Sequence, residues 1–265
     1  MLDKRSKMPI LNTNIIQRKG IMQYLLDTTD TIVEGVGFPF YGKLHVLWLI
    51  AAVLFFAVTG LAYRKLDEKG RAVLRKCVAL AIIADELFKM AVLFIGGNYL
   101  VDYLPIHLCS INIFLIAFHA FKGGKVLDNY LYTVGIPGAL VALLFPSWNE
   151  LPAYNLMCIH SFTVHILLAG YPLMLFIGGD IRPDIRKVPG CVLLLGGLAL
   201  VALGFNLVFD TNFMFLMSAS AGNPLKLFED MWGSHLWGFV VIIPAVIVLM
   251  HGPVMLVRKL KTAKA

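Results

Sequence analysis

Leu44-His45-Val46-Leu47-Trp48-Leu49-Ile50-Ala51-Ala52-Val53-Leu54-Phe55-Phe56-Ala57-Val58-Thr59-Gly60-Leu61-Ala62-Tyr63 carries no charge, and Arg64-Lys65 follow it at once. A bilayer core is crossed by about 20 apolar helical residues, so this stretch reads as a membrane span closed by an interfacial anchor. Six further apolar runs follow, at 73–96, 104–121, 130–146, 153–177, 191–209 and 236–257, the fourth being the shortest. Of the 265 residues, 59% are hydrophobic and only 15% charged, against roughly 45–50% and about 25% in soluble domains. The expected fold is an all-α, polytopic membrane bundle of seven transmembrane helices, occupying residues 43–265.

The net charge of +7 would suit a polyanionic partner, but the cations cluster at alternate ends of the runs. Arg64, Lys65, Lys69, Arg71, Arg75 and Lys76 follow the first run, Lys122 and Lys125 the third, Arg182, Arg186 and Lys187 the fifth, and Arg258, Lys259, Lys261 and Lys264 the last. The connections 97–103 and 147–152 contain no Lys or Arg, and 210–235 contains only Lys226. That asymmetry places the N-terminus outside and the C-terminus in the cytoplasm, and it argues for lipid and against nucleic acid. Lys4, Arg5, Lys7, Arg18 and Lys19 in the tail oppose this topology, from a distance at which their weight is small. No cleavable leader is expected in residues 1–20. Residues 1–42 form an N-terminal tail, in which Ile21, Met22, Leu25, Leu26, Ile32 and Val33 share a face of an expected interfacial helix over 21–33.

Connections between the runs are mostly short, as between antiparallel neighbours. The exception, 210–235, contains Asp210-Thr211-Asn212 and the apolar Met214, Phe215, Leu216 and Met217. It is the candidate external lid. Cys77, Cys109, Cys158 and Cys191 form no CxxC pair and do not suggest a disulfide framework; Cys109 and Cys158 both sit near the external ends of their runs, which leaves a bridge between them open.

Ionisable groups inside a span are costly and mark sites or helix-pairing contacts. Asp85 and Lys89, at i and i+4, are expected to pair, leaving Glu86 to orient a histidine or bind a head group. In the third run, Cys109 and Asn112 share a face while His107 points about 200° away on an ideal helix; His119, near Lys122, reads as interfacial. In the fifth, His160 and His165 point about 140° apart. Counted at 1.5 Å per residue from the run starts, Cys109 lies roughly 8 Å deep, His160 roughly 10 Å and His165 roughly 18 Å. Depth therefore favours His160 as the partner of Cys109. His45, Asn206, Asp210, His235 and His251 read singly as structural.

Leu104-Pro105-Ile106-His107-Leu108-Cys109-Ser110, Ser161-Phe162-Thr163-Val164-His165 with Pro172, and Asp210-Thr211-Asn212-Phe213-Met214-Phe215-Leu216 together resemble the YwaF-like family of bacterial seven-span membrane proteins. That family is similar to human transmembrane protein 164, and the likeness runs from about His45 to the C-terminus. It implies a lipid acyltransferase or acyl hydrolase in a bacterial cytoplasmic membrane, acting on phospholipid and lysophospholipid without a cofactor or metal. In it Cys109 matches the nucleophile, His165 matches the family's histidine better than His160 does, and Asn212 matches an asparagine without an assigned role. The chain departs from the family at Ala221-Gly222-Asn223-Pro224 and Trp232-Gly233-Ser234-His235.

The implied chemistry is coherent. A thiol needs a base to become a nucleophile near neutral pH, and Asn112, one turn from Cys109, could donate to an oxyanion. His107, Asn112, His160, Glu86 and Asn212 are then supporting residues. Two other classes compete: a haem or metal protein using His107, His119, His160 and His165, and a transporter or sensor with Asp85, Glu86 and Lys89 in a polar path.

Overall fold

A computed structural model describes residues 21–219 and 223–262, and among them the regular structure is helical throughout. The charges placed in residues 1–20, the Ala221-Gly222 part of the loop and Lys264 lie outside the described residues. The α-helices are α1 (Lys43–Lys65), α2 (Glu68–Ile95), α3 (Leu108–Lys122), α4 (Lys125–Tyr130), α5 (Ile136–Leu144), α6 (Leu156–Gly178), α7 (Val188–Phe209), α8 (Pro224–Trp232) and α9 (Leu236–Thr262). Six segments are long and apolar enough to cross a membrane: Lys43–Lys65, Val101–Lys122, Lys125–Leu144, Leu156–Gly178, Ile185–Phe209 and Leu236–Thr262. The molecule is therefore a multi-pass membrane protein. The other long helix, α2, spans 28 residues but carries Asp85, Glu86 and Lys89 in its interior.

The centre of the bundle is α6, against which α1, α2, α3 and α5 pack. Small residues let those helices close in, as membrane helices require when water supplies no drive between them. A Cβ on Gly170 would come within 2.6 Å of the Phe55 ring, one on Gly60 within 2.5 Å of Ile177, and one on Gly178 would run into Tyr63. At the basic end, Asp180 gathers Arg71 (2.7 Å), Arg75 (3.0 Å) and the Tyr63 hydroxyl (2.5 Å), tying α1, α2 and the end of α6 together.

Three expectations change. The fourth run, short in sequence, is a composite of α4, a π-helical turn at Leu131–Gly135 and α5, and it covers Lys125–Leu144. It looked short because its first turn, Lys125-Val126-Leu127-Asp128-Asn129, is polar; Asn129 and Asp128 there serve internal hydrogen bonds. The helix expected over 21–33 is confined to a 3-10 turn at Ile21–Tyr24, after which turns continue to α1. Asn155 and Asn98 hold this segment against the bundle by donating to the carbonyls of Tyr24, Asp27 and Leu26. Finally α3 begins at Leu108, four residues later than its apolar run; 104–107 is non-helical and His107 is the N-cap.

Candidate active site

Cys109 occupies the first turn of α3, and His165 lies nine residues into α6. Their side chains meet: His165 Nε2 is 3.2 Å from Cys109 Sγ. His165 Nδ1 lies 2.6 Å from the Ser161 carbonyl, one turn back on the same helix. A carbonyl can only accept, so Nδ1 carries the proton and Nε2 presents its lone pair to the thiol, which donates to it. This is the tautomer a general base needs. Both residues are half-buried.

The late start of α3 matters to the thiol. The first intrahelical bond is Ile111 N–H to the His107 carbonyl at 2.9 Å, so the amides of Leu108, Cys109 and Ser110 have no acceptor within the helix. Unpaired amides and the positive end of the helix dipole favour a thiolate or an oxyanion at that position. Asn112, one turn on, is buried at 3% exposure and its Oδ1 has no partner. The Tyr130 hydroxyl is also buried and unpaired.

The depth argument that preferred His160 fails. His165 lies nine residues into α6 and Cys109 only one into α3, so α3 starts about 12 Å further into the bundle than α6 does. Residue counting from the two run starts compared unlike origins. His160 instead places Nδ1 3.1 Å from Asp85 Oδ2, off the line of an aligned hydrogen bond. Thr163 Oγ1 lies 3.0 Å and 3.2 Å from the two oxygens of the same carboxylate. The expected Asp85–Lys89 pair is likewise replaced: Lys89 pairs with Glu86 at i+3, both nearly buried. Of the two α2 carboxylates, Asp85 and not Glu86 meets a histidine. Spacing along one helix could not show this, because the competing partners sit on α6.

His107 does not face Cys109. Its Nδ1 accepts from the Met214 amide at 3.3 Å, and its ring meets Phe213 edge-on. It joins the start of α3 to the loop after α7. That loop is anchored from α7 by Asn206, whose Oδ1 accepts from the Phe213 amide (2.7 Å) and Thr211 Oγ1 (3.0 Å) and whose Nδ2 donates to the Phe213 carbonyl (3.1 Å). Asn212 organises the next turn, donating to Ser218 and accepting from the amides of Met217 and Ser218. Phe213 and Met214 pack on Leu104, Ile106, Leu108 and Ile111, so the candidate lid covers the segment that leads to Cys109.

His119 is buried, in place of the interfacial position expected: its Nε2 donates to Asp128 at 2.7 Å and its Nδ1 meets the Tyr171 hydroxyl at 2.8 Å. The four histidines weighed as haem or metal ligands therefore face four different partners and do not converge. His45 accepts from the Tyr41 amide and donates to the Leu143 carbonyl; His251 meets Thr133 and His235 the Leu216 carbonyl. All four cysteines are free, Cys109 and Cys158 included.

One residue at the site was not legible in the sequence. Trp148, in the turn before α6, stacks on His165 with ring centroids 5.0 Å apart and planes at 18°. A tryptophan between two spans reads as an interfacial belt residue, which gives no signal of a buried contact.

In comparison with known proteins, the TMEM164 family model matches residues 40–251. No curated protein and no solved structure matches.

Proposed function

From the premise that the chain belongs to the TMEM164 family, we propose that it is an integral membrane acyltransferase or acyl hydrolase acting on phospholipids through a Cys109 thioester. The observation that carries this reading is the 3.2 Å approach of His165 Nε2 to Cys109 Sγ, with Nδ1 held by a backbone carbonyl. His165 takes the thiol proton as sulfur attacks the ester carbonyl, and the oxyanion collects the open amides of the α3 N-terminus with Asn112 as a further donor. Collapse breaks the ester C–O bond, and His165 returns the proton to the departing lysophospholipid hydroxyl. The thioester is then opened by a second lysophospholipid hydroxyl, or by water, with His165 again removing the proton and Cys109 restored. No cofactor enters these steps.

In the same reading α2 is the seventh span, its interior charges tolerated because Glu86 pairs with Lys89 and Asp85 with Thr163 and His160. The cation distribution then puts the N-terminus outside and the site near the outer leaflet of a bacterial cytoplasmic membrane, where the ester lies just below its head group; the chain would stand with the bacterial YwaF-like members. Cys109→Ala and His165→Ala, each purified with its folded gel-filtration profile, are expected to lose acyl exchange between labelled phospholipid and lysophospholipid by at least about a hundredfold. Full exchange in Cys109→Ala overturns the proposal.

A further inference from the structure

Trp148 sits outside every helix, yet only 6% of it is exposed, and its indole Nε1 is buried without an acceptor. One face of the ring lies on His165. Its other contacts make a rigid backing: Phe162 meets it edge-on at 5.2 Å and 87°, and Phe162 in turn stacks on Trp48 at 4.9 Å and 6°. The turn that carries it closes on itself through the Leu151 amide and the Trp148 carbonyl at 3.1 Å. The indole is thereby held from α1, α6 and its own loop, with His165 against its face.

We infer that Trp148 is a positioning residue of the Cys109–His165 pair, holding the imidazole in plane with the thiol and stabilising the imidazolium formed when His165 takes its proton. The inference rests on the thiol chemistry proposed above. The step moves one proton: the S–H bond breaks, an Nε2–H bond forms, and the products are a thiolate and an imidazolium at contact distance. An indole face attracts a cation through its quadrupole, most strongly among the aromatic side chains and more so where water is excluded. A neutral imidazole gains only the stacking part, so the indole favours the charged form and with it the thiolate. Beside His165 are Cys109 from α3, His160 on its own helix and Asp85 from α2; Glu86 and Lys89, also on α2, pair with each other, and Tyr130 of α4 lies by Cys109. The adjoining α5 has no titratable residue, and Glu150 in the turn is exposed.

The test is the pH profile of Cys109 alkylation by iodoacetamide in the full-length protein, resolved by peptide mass spectrometry, with no lipid substrate present. Trp148→Leu is expected to slow alkylation at neutral pH roughly three- to thirtyfold and to move the profile to higher pH, with Trp148→Phe between it and the wild type. A folded Trp148→Leu protein whose profile superimposes on the wild type overturns the inference; if that variant does not fold, superposition of the Trp148→Phe profile does so. A wild-type Cys109 that reacts with the profile of a free thiol, and is unaffected by His165→Ala, removes the thiol chemistry itself and this inference with it. A reactive wild type with unaffected Trp148 variants removes only the inference.

Discussion

At the scale of single residues, the protein accommodates charge in two ways, in a partly exposed network and in a buried pair. Asp180 at the basic end has three donors and stands partly exposed, so its network costs little desolvation. Glu86 and Lys89 are 8% and 7% exposed and have each other. Removing one partner of such a pair leaves an uncompensated charge, whereas removing both can be nearly neutral. Lys89→Met is therefore expected to destabilise the protein by about 3–5 kcal/mol, and Glu86→Gln with Lys89→Met to recover most of that loss. Thermal unfolding of the three variants in one detergent checks it; a double variant no better than Lys89→Met contradicts the pairing. The same residues show where sequence spacing stops. Asp85, Glu86 and Lys89 lie within about one turn of each other, and i+3 and i+4 partners are equally available on a lone helix. Thr163 and His160 on α6 decide the outcome by occupying Asp85.

Among the elements, α6 carries both His165 and the closest helix contacts, and its glycines set how near α1 can come. Gly170→Leu is expected to force Phe55 aside and lower stability by about 1–3 kcal/mol, while Gly196→Leu on α7, where a Cβ would meet nothing within 4 Å, is expected to be neutral. Midpoints of thermal aggregation in the same detergent separate the two, and equal losses would contradict the packing described. The shape of α3 also belongs to this scale. Its apolar run begins at Leu104, but Pro105 cannot donate a backbone hydrogen bond and biases Leu104 toward extended backbone. Leu104 indeed has φ −56° and ψ 144°. The helix accordingly starts after His107, which brings Cys109 into the first turn with open amides around it. That boundary is latent in Pro105, since the residue before a proline marks the edge of many helices.

For the whole molecule, the charge asymmetry is the feature that relates the bundle to a bilayer. The basic end carries Arg64 and, around Asp180, Arg71 and Arg75, whereas the lone lysine of the 210–235 connection, Lys226, is neutralised by Glu229 at 2.9 Å and Asp230 at 3.2 Å. With α2 as a seventh span, a C-terminal green fluorescent protein fusion is expected to fluoresce and a C-terminal alkaline phosphatase fusion to be inactive, with the reverse for a fusion ending in the 97–103 connection. Active phosphatase at the C-terminus would invert the topology and move the site to the other leaflet.

The amino-acid sequence by itself determined that this chain lives in a membrane, roughly where its helices run, and which thiol to single out. Those properties follow from composition and local order: apolar length, cation placement and short motifs survive without knowing any neighbour. The short motifs already pointed to His165 against the depth count, and the tertiary structure brought it to Cys109; the tertiary structure alone decided that Lys89 belongs to Glu86, that His107 holds the loop after α7, and that Trp148 lies on the imidazole. Each of these depends on the relative depth and rotation of helices far apart in the chain, which are set by close packing at α6 and by the non-helical stretch before α3, and no spacing within one segment records them.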